Sequence, residues 1–375
     1  MELLDDLDAL LLSAPTNVRY ITGFVPVEEG QREVQVLLLQ QKMYLFTNAL
    51  YKESVTQLAK KLKNADVMIM THALPMPTQL HTIASKEHLK TIGFEDTALS
   101  VAEFERLKRE LPDVSFAPAS GRVEQLRMIK RNDEIENIRR AATITDACFD
   151  SILSKLKPGV TESDIAWEIE TFFRTHGAEN AFSPIVAFDP HSSQPHFDSS
   201  RAQGPALGSK QVILLDFGAS VNGYCGDMTR VVCMGKPTDE QKKAYTTVFA
   251  AQQIALDYLH EFSKQGGSKQ NNPSGYLGSN LPSGAEADKR ARMVIEKAGF
   301  PAYPHSLGHA VGLDIHETPR LTVSQDAELK PGMVVTVEPA IYKEGQYGIR
   351  IEDLVLLKKD GIEILSKSPK HLTIL

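Results

Sequence analysis

Short apolar runs alternate with amphipathic stretches through the first third of the chain. Residues 9–12 (ALLL), 34–39 (VQVLLL), 43–46 (MYLF) and 91–94 (TIGF) are rich in β-formers and predict strands. Residues 51–62 and 99–111 repeat apolar side chains at helical spacing and predict helices. Alternation of this kind predicts an α/β unit with a parallel or mixed sheet. Pro112 and then Pro118-Ala119-Ser120-Gly121 interrupt it. The expected division is therefore a smaller domain over 1–120 and a larger one over 121–375.

The second part opens on a long amphipathic helix. Asn132 is the expected N-cap, and Asp133, Glu134 and Glu136 sit where the helix dipole favours anions. Ile135, Ile138, Ala142, Thr145, Phe149 and Ile152 form one buried stripe, and Lys157-Pro158-Gly159 is the expected stop. Thr161 with Asp164, and Thr238 with Gln241, mark two further helix starts. Residues 263–289 are rich in Gly, Ser, Asn and Pro, which predicts a long surface loop. One more helix is expected from Arg290, followed by strands and hairpins.

Two hairpins carry the chemistry. The run Val212-Ile213-Leu214-Leu215 delivers Asp216 into what should be a core, and a buried carboxylate is costly unless it is paired or binds metal. Asn222-Gly223 follows, the turn pair that suits φ > 0 at both central positions. A two-residue turn there sets 216 opposite 229, so Asp227 lies diagonal to Asp216 on the same sheet face. Further on, an apolar strand over 333–337 ends in Glu338, and 349–354 returns after a loop at Glu344-Gly345-Gln346. With those three residues as the loop, 338 faces 352, and Glu338 and Glu352 form a second pair. Four close carboxylates cannot all stay ionised without cations.

The segment 304–317 adds His305, His309 and His316, and 189–196 adds His191 and His196. His305 and His309 have the i,i+4 spacing of a helical zinc pair, but Pro304, Gly308 and Gly312 argue against a helix and for a loop-built site. Mostly oxygen ligands with one imidazole suit Mn²⁺, Co²⁺, Fe²⁺ or Zn²⁺. Two such ions ~3.5–4 Å apart activate water and polarise a carbonyl, so the reaction class is hydrolysis.

Composition narrows the partners. Acidic residues number 48 against 41 basic ones, a net charge of −7 that lacks the basic footprint of a nucleic-acid binder. Three cysteines give no disulfide framework and fit a reducing compartment. No apolar run approaches a membrane span, and the start lacks the pattern of a signal peptide. The cytoplasm is the expected location, with neither membrane nor nucleic acid as partner.

LLDFGA (214–219), GYCGDMTR (223–230), HSLGHAVGLDIHE (305–317), VEPAIY (337–342) and GIRIEDL (348–354) together make the chain resemble the pita-bread metallopeptidases. That family includes Xaa-Pro aminopeptidases (aminopeptidase P), Xaa-Pro dipeptidases (prolidases), methionine aminopeptidases and creatinase. TNVRYITGF (16–24), LFTNALY (45–51) and IGFED (92–96) resemble the extra N-terminal domain that methionine aminopeptidases lack, and VEQLRMIKRNDEI (123–135) resembles the domain junction. The resemblance implies an α/β (α+β) chain with a creatinase-like domain ahead of a pita-bread catalytic domain. It implies two divalent ions, Mn²⁺ foremost with Co²⁺ or Zn²⁺ as alternatives. Asp216 resembles the ligand of one ion, Asp227 and Glu352 the bridging pair, and His309 and Glu338 the ligands of the other. Glu338 would also move the proton of the attacking water. His196 and His316 resemble outer histidines that hold substrate, stabilise the tetrahedral intermediate or shuttle protons. His305 resembles a substrate-side histidine, and Arg350 would orient Glu352 from the same strand. The implied substrate is a proline-containing peptide or dipeptide, and the implied assembly a homodimer.

Asn48 and Leu50 stand where the family usually has Asp and Arg, and the string before Pro195-His196 also departs from it. These departures bear on the substrate pocket and touch no metal ligand. A catalytically inactive pita-bread binding protein would have lost ligands. A creatinase-like hydrolase of a small non-peptide substrate would not keep this set.

Overall fold

The computed structural model describes residues 2–27, 30–199, 206–264 and 281–375. Contacts divide the chain into two compact units, Met1–Arg127 and Met128–Leu375. Both mix helices with sheets, as the α/β reading expects.

The first unit is a six-stranded mixed sheet in the order β4-β3-β2-β1-β5-β6. The strands are β1 (Ala9–Leu12), β2 (Val34–Leu39), β3 (Met43–Thr47), β4 (Ala65–Ile69), β5 (Thr91–Phe94) and β6 (Ser115–Pro118). Side chains alternate across a strand, so Leu10 and Leu12 enter one core and Ala9 and Leu11 the other. With both faces covered, β1 reads as a continuous apolar run. The helices are α1 (Pro15–Thr22), α2 (Lys52–Ala59), α3 (Met76–Lys86) and α4 (Val101–Glu110), the last started by a reciprocal Ser100–Glu103 cap. A fifth helix, α5 (Arg122–Met128), follows Gly121. Arg122 donates to Leu3 O and Asp6 Oδ1, and Arg127 donates to Asn17 Oδ1. Those bonds explain why the first unit runs on to Arg127, beyond the 120/121 division read from the sequence.

In the second unit α6 (Asn132–Leu153) begins at its expected cap residue, so the cap itself lies one residue earlier. Arg131 is the N-cap, and its N–H donates to Glu134 Oε2 at 2.7 Å. The helix stops at Leu153, short of Lys157-Pro158-Gly159. α7 (Glu162–Thr175) carries the expected Thr161–Asp164 box, and α8 (Asp239–Lys264) the expected Thr238–Gln241 box. α9 (Gly284–Lys297) starts where Ser283 Oγ accepts the Glu286 N–H. The polar loop expected over 263–289 is therefore helical at 263–264, where α8 runs on, and at 284–289, where the Ser283 cap outweighs composition. Residues 265–280 of that expected loop lie outside the described residues.

Among the described residues, four sheets complete this unit. One has the order β20-β12-β9-β8, from β8 (Ile185–Phe188), β9 (Gln211–Phe217), β12 (Met228–Met234) and β20 (Thr373–Ile374). A second joins β7 (Glu179–Asn180), β10 (Ala219–Val221) and β11 (Tyr224–Cys225). The third runs β14-β13-β15-β18-β19, built from β13 (Gly308–Ala310), β14 (Glu317–Leu321), β15 (Val334–Val337), β18 (Asp353–Lys358) and β19 (Gly361–Ile364). The last pairs β16 (Ala340–Lys343) with β17 (Tyr347–Arg350).

Both hairpins keep the expected register. Asp216 pairs with Thr229, and beyond an interruption Ser220 pairs with Cys225 and Val221 with Tyr224. Asn222 and Gly223 take φ 52° and 84°, the left-handed values that this turn requires. In the other hairpin Lys343 pairs with Tyr347, Ala340 with Arg350 and, past a second interruption, Val337 with Asp353. Glu338 and Glu352 stand opposite each other inside that gap. Their freed N–H groups bond elsewhere: Glu338 N to Leu307 O at 2.8 Å and Glu352 N to Thr229 O at 3.1 Å. The second bond ties one hairpin to the other at the point where each ladder opens. The first opening depends on glycine, because a Cβ on Gly218 would lie 1.8 Å from Gly226 O.

Candidate metal centre

Alternation along β9 puts Val212 and Leu214 in one core and Ile213, Leu215 and Phe217 in the other. Asp216 shares the face of Val212 and Leu214. On β12 the same face carries Val231 and Cys233, and two-residue steps back from them reach Thr229 and Asp227. The diagonal relation of Asp216 to Asp227 follows from that parity.

Asp216, Asp227, His309, Glu338 and Glu352 all line one cleft of about 320 Å³, with His196, His305, His316 and Arg350. Asp227, His309 and Glu352 are buried, and each offers a ligand atom within 4.8 Å of the others. His309 Nε2 is 3.7 Å from Asp227 Oδ2 and 3.4 Å from Glu338 Oε1. His309 Nδ1 faces Ala310 O at 3.2 Å. A carbonyl only accepts, so the proton belongs on Nδ1 and the Nε2 lone pair faces the acids, the orientation of a metal-binding imidazole. Asp216 Oδ1 is buried with no hydrogen-bond partner.

The electrostatics agree with a cation site. Burial, then repulsion from Asp216 and Glu338, raises Asp227 well above the usual carboxylate range. Burial and Asp227 do the same to Glu352, and burial raises Glu338 to about 8. Burial holds His309 down at about 3, so it is a neutral imidazole at pH 7. Three acids that resist ionisation together, a neutral imidazole facing them and the orphaned carboxylate oxygen of Asp216 fit divalent cations with oxygen and nitrogen ligands.

Arg350 does not contact Glu352 as expected. Its Nη2 donates to Asp216 Oδ2 at 2.5 Å, Nη1 to Tyr342 OH at 2.6 Å and Nε to Thr229 Oγ1 at 3.1 Å. The Thr229 hydroxyl in turn donates to Glu352 Oε2 at 2.7 Å. Arg350 thus reaches Glu352 through Thr229, because the β17 backbone aims its side chain across at β9. Thr336 has a similar role, accepting from His309 N and donating to Glu338 Oε1.

His305 is half-buried with hydrogen-bond partners of its own. Nδ1 faces Ser306 O at 2.8 Å, so Nε2 accepts from the Tyr342 hydroxyl at 3.0 Å. Burial, with Arg350 nearby, pushes His305 down to about 4. His316 and His196 are exposed where they line the cleft. The His316 ring stands edge to face with that of His309, centroids 4.5 Å apart. His191 is turned away, its Nδ1 on Glu162 at 2.9 Å and its ring stacked on Phe197. Tyr342, Thr229 and Thr336 escaped the residue-by-residue reading, as did Arg320, which also lines the cleft. Tyr342 lies inside VEPAIY and Thr229 inside GYCGDMTR, but uncharged hydroxyls signal nothing by type or spacing alone.

Residues 136–359 match the family described as Metallopeptidase family M24, and residues 4–129 match the Creatinase/Prolidase N-terminal domain. An uncharacterized peptidase of Bacillus subtilis is 34% identical, covering 98% of this chain and 96% of that one. The structure of a Xaa-Pro dipeptidase from Bacillus anthracis superposes with a TM-score of 0.85 at 34% identity, covering 98% and 95%. An X-Pro aminopeptidase from Thermotoga maritima gives 0.82 at 31% identity, covering 98% of each. Among the described residues, no helix is long and apolar enough to cross a membrane.

Proposed function

Since the chain belongs to metallopeptidase family M24, and is a metal-dependent peptidase on that ground, we propose that its scissile bond joins an N-terminal residue to proline. The substrate is an Xaa-Pro dipeptide or a longer peptide with proline second. The observation that carries this reading is the convergence of Asp216, Asp227, His309, Glu338 and Glu352 on one cleft. The relatives that act on Xaa-Pro substrates support the choice of bond. The complete ligand set speaks against a binding protein without catalysis.

Asp216, Asp227, Glu352, His309 and Glu338 would hold two divalent ions, with Mn²⁺ the first candidate. Bound there, the ions supply Lewis-acid polarisation of the scissile carbonyl and of water. An Xaa-Pro bond is a tertiary amide without N–H, so the cleft must position it through the carbonyl and the ring.

Glu338 is the proton carrier. Its carboxylate, ionised once bound cations offset the burial that raises it, takes the proton of the attacking water at an Oε atom and returns it to the departing proline nitrogen, which leaves as an amine. His316 and His196, at the open side of the cleft, hold substrate and face the charge that develops on the carbonyl oxygen. His305, fixed from both ring nitrogens, is a rigid wall on the substrate side. Arg350 holds Asp216 and the Tyr342 hydroxyl in place.

The test is hydrolysis of Gly-Pro and Ala-Pro against Arg-Pro-Pro, with Mn²⁺ added after chelation. Cleavage of dipeptides alone identifies a dipeptidase, and cleavage of both an aminopeptidase. Hydrolysis of neither, with metal bound, overturns the reading.

A further inference from the structure

We propose that the buried ion pair between Lys130 and Glu317 sets where the His316 imidazole stands, making both positioning residues for hydrolysis. The inference rests on the role given to His316 above. Lys130 belongs to the 123–135 motif, which the ligand set leaves unused. Its Nζ lies 2.9 Å from Glu317 Oε2, and the two side chains are only 1% and 6% exposed. Taking both charges out of water costs several kcal/mol, and a buried pair rarely adds stability over apolar side chains of the same volume. Its value therefore lies in geometry.

The geometry is that of a loop wrapped around a carboxylate. Residues 311–316 connect β13 to β14, and the pairing slips between His309 and Ala310 so that Ala310 faces Glu317. Glu317 Oε1 accepts the Asp314 N–H at 3.3 Å. Gly312 packs so closely that a Cβ there would lie 2.5 Å from the same oxygen. Gly312 N in turn bonds Asp314 O at 3.1 Å. The carboxylate is the loop's internal scaffold, and His316 is the residue immediately before it. Lys130 fixes that scaffold from the other side, and its own N–H donates to Gly332 O at 2.9 Å in the turn leading to β15 and Glu338. One residue thus ties the His316 loop to the strand that carries the proton carrier.

Lys130→Met/Glu317→Leu removes both charges without stranding either, so the fold is expected to persist. With Mn²⁺ bound, kcat on Ala-Pro should fall about ten- to a hundredfold, the usual cost of removing an outer partner, while metal affinity stays within about twofold. Amides of 312–316 should exchange with deuterium at least about tenfold faster. Added to His316→Ala, the pair of substitutions should lower kcat no further. Wild-type kcat, losses that multiply with that of His316→Ala, or unchanged exchange overturns the proposal. If His316→Ala is itself fully active, the role of His316 falls, and the exchange rates alone decide whether the pair fixes the loop. Should the double variant not fold, Glu317→Gln keeps the shape and the Asp314 contact, loses the attraction to Lys130, and is read by the same three measurements.

Discussion

Arg350 donates to one oxygen of Asp216 at 2.5 Å while the other oxygen of that carboxylate is buried without a partner. The guanidinium satisfies one side and leaves the other for a cation. Arg350→Met should free the carboxylate to rotate and weaken metal binding by about ten- to a hundredfold, as loss of a ligand's supporting partner commonly does. Calorimetric titration of the chelated protein with Mn²⁺ reads the change. An unaltered affinity would separate Arg350 from the metal centre.

Asp227 forms, with His309 and Glu352, a buried cluster whose ligand atoms lie within 4.8 Å of one another. Asp227→Ala should abolish both metal binding and hydrolysis while leaving a folded chain, since it removes an anion from a crowded site. In the wild type, metal at a hundred times its Kd should add about 2.7 kcal/mol of stability by mass action. The variant should show no such rise in Tm. A metal-induced rise equal to that of the wild type would exclude Asp227 as a ligand.

The metal-free protein should lose stability as pH rises from about 6.5 to 8. Asp227, Glu352 and Glu338 have raised pKa values in the fold, Glu338 at about 8, so the folded state holds protons that the unfolded chain has released. Their contribution is complete below the unfolded carboxylate pKa of ~4.3 and is lost as pH passes the folded value. His309 and His305 are pushed down to about 3 and 4 and act in the opposite sense, but only below their unfolded pKa of ~6.5. Above it the acids act alone. Thermal unfolding with chelator should show a falling Tm across this window, and saturating Mn²⁺ should flatten it. A chelated Tm that rises from pH 6.5 to 8 contradicts the crowding of acids.

Gly218→Ala should destabilise the second unit by about 3 kcal/mol or more, because the added Cβ meets Gly226 O at 1.8 Å and backbone cannot rotate aside. Urea unfolding measures it. A loss under about 1 kcal/mol would mean that the strands part more easily than the structure shows.

The pairing of the four acids was readable because each hairpin has a turn whose length fixes the register. Asn222-Gly223 admits one tight turn, and Glu344-Gly345-Gln346 sets Lys343 against Tyr347. The helix starts at Thr161 and Thr238 were equally plain, since a reciprocal cap is written in two residues. Pro15 was harder. A proline after an apolar run can as well end a strand as begin a helix, and here it begins α1 at a position where a helix does without the N–H. The ends of the polar stretch were masked by composition, although Ser283 caps α9 there. The true partner of Arg350 was hidden for another reason. Strand spacing puts it on the face of Glu352, but a guanidinium at the end of a long stem reaches a neighbouring strand, and only tertiary structure says which.

The constancy of pairing across both ladder openings has an evolutionary corollary. Side chains on a strand alternate inward and outward, so inserting a single amino acid between positions 216 and 229, or between 338 and 352, would swing one acid of a pair away from its mate. Inserting two would restore the facing but slide the pair apart by roughly 6.8 Å. Natural variation in chain length should therefore collect outside these two spans, and a descendant that lengthens either one should have lost its capacity to hold ions.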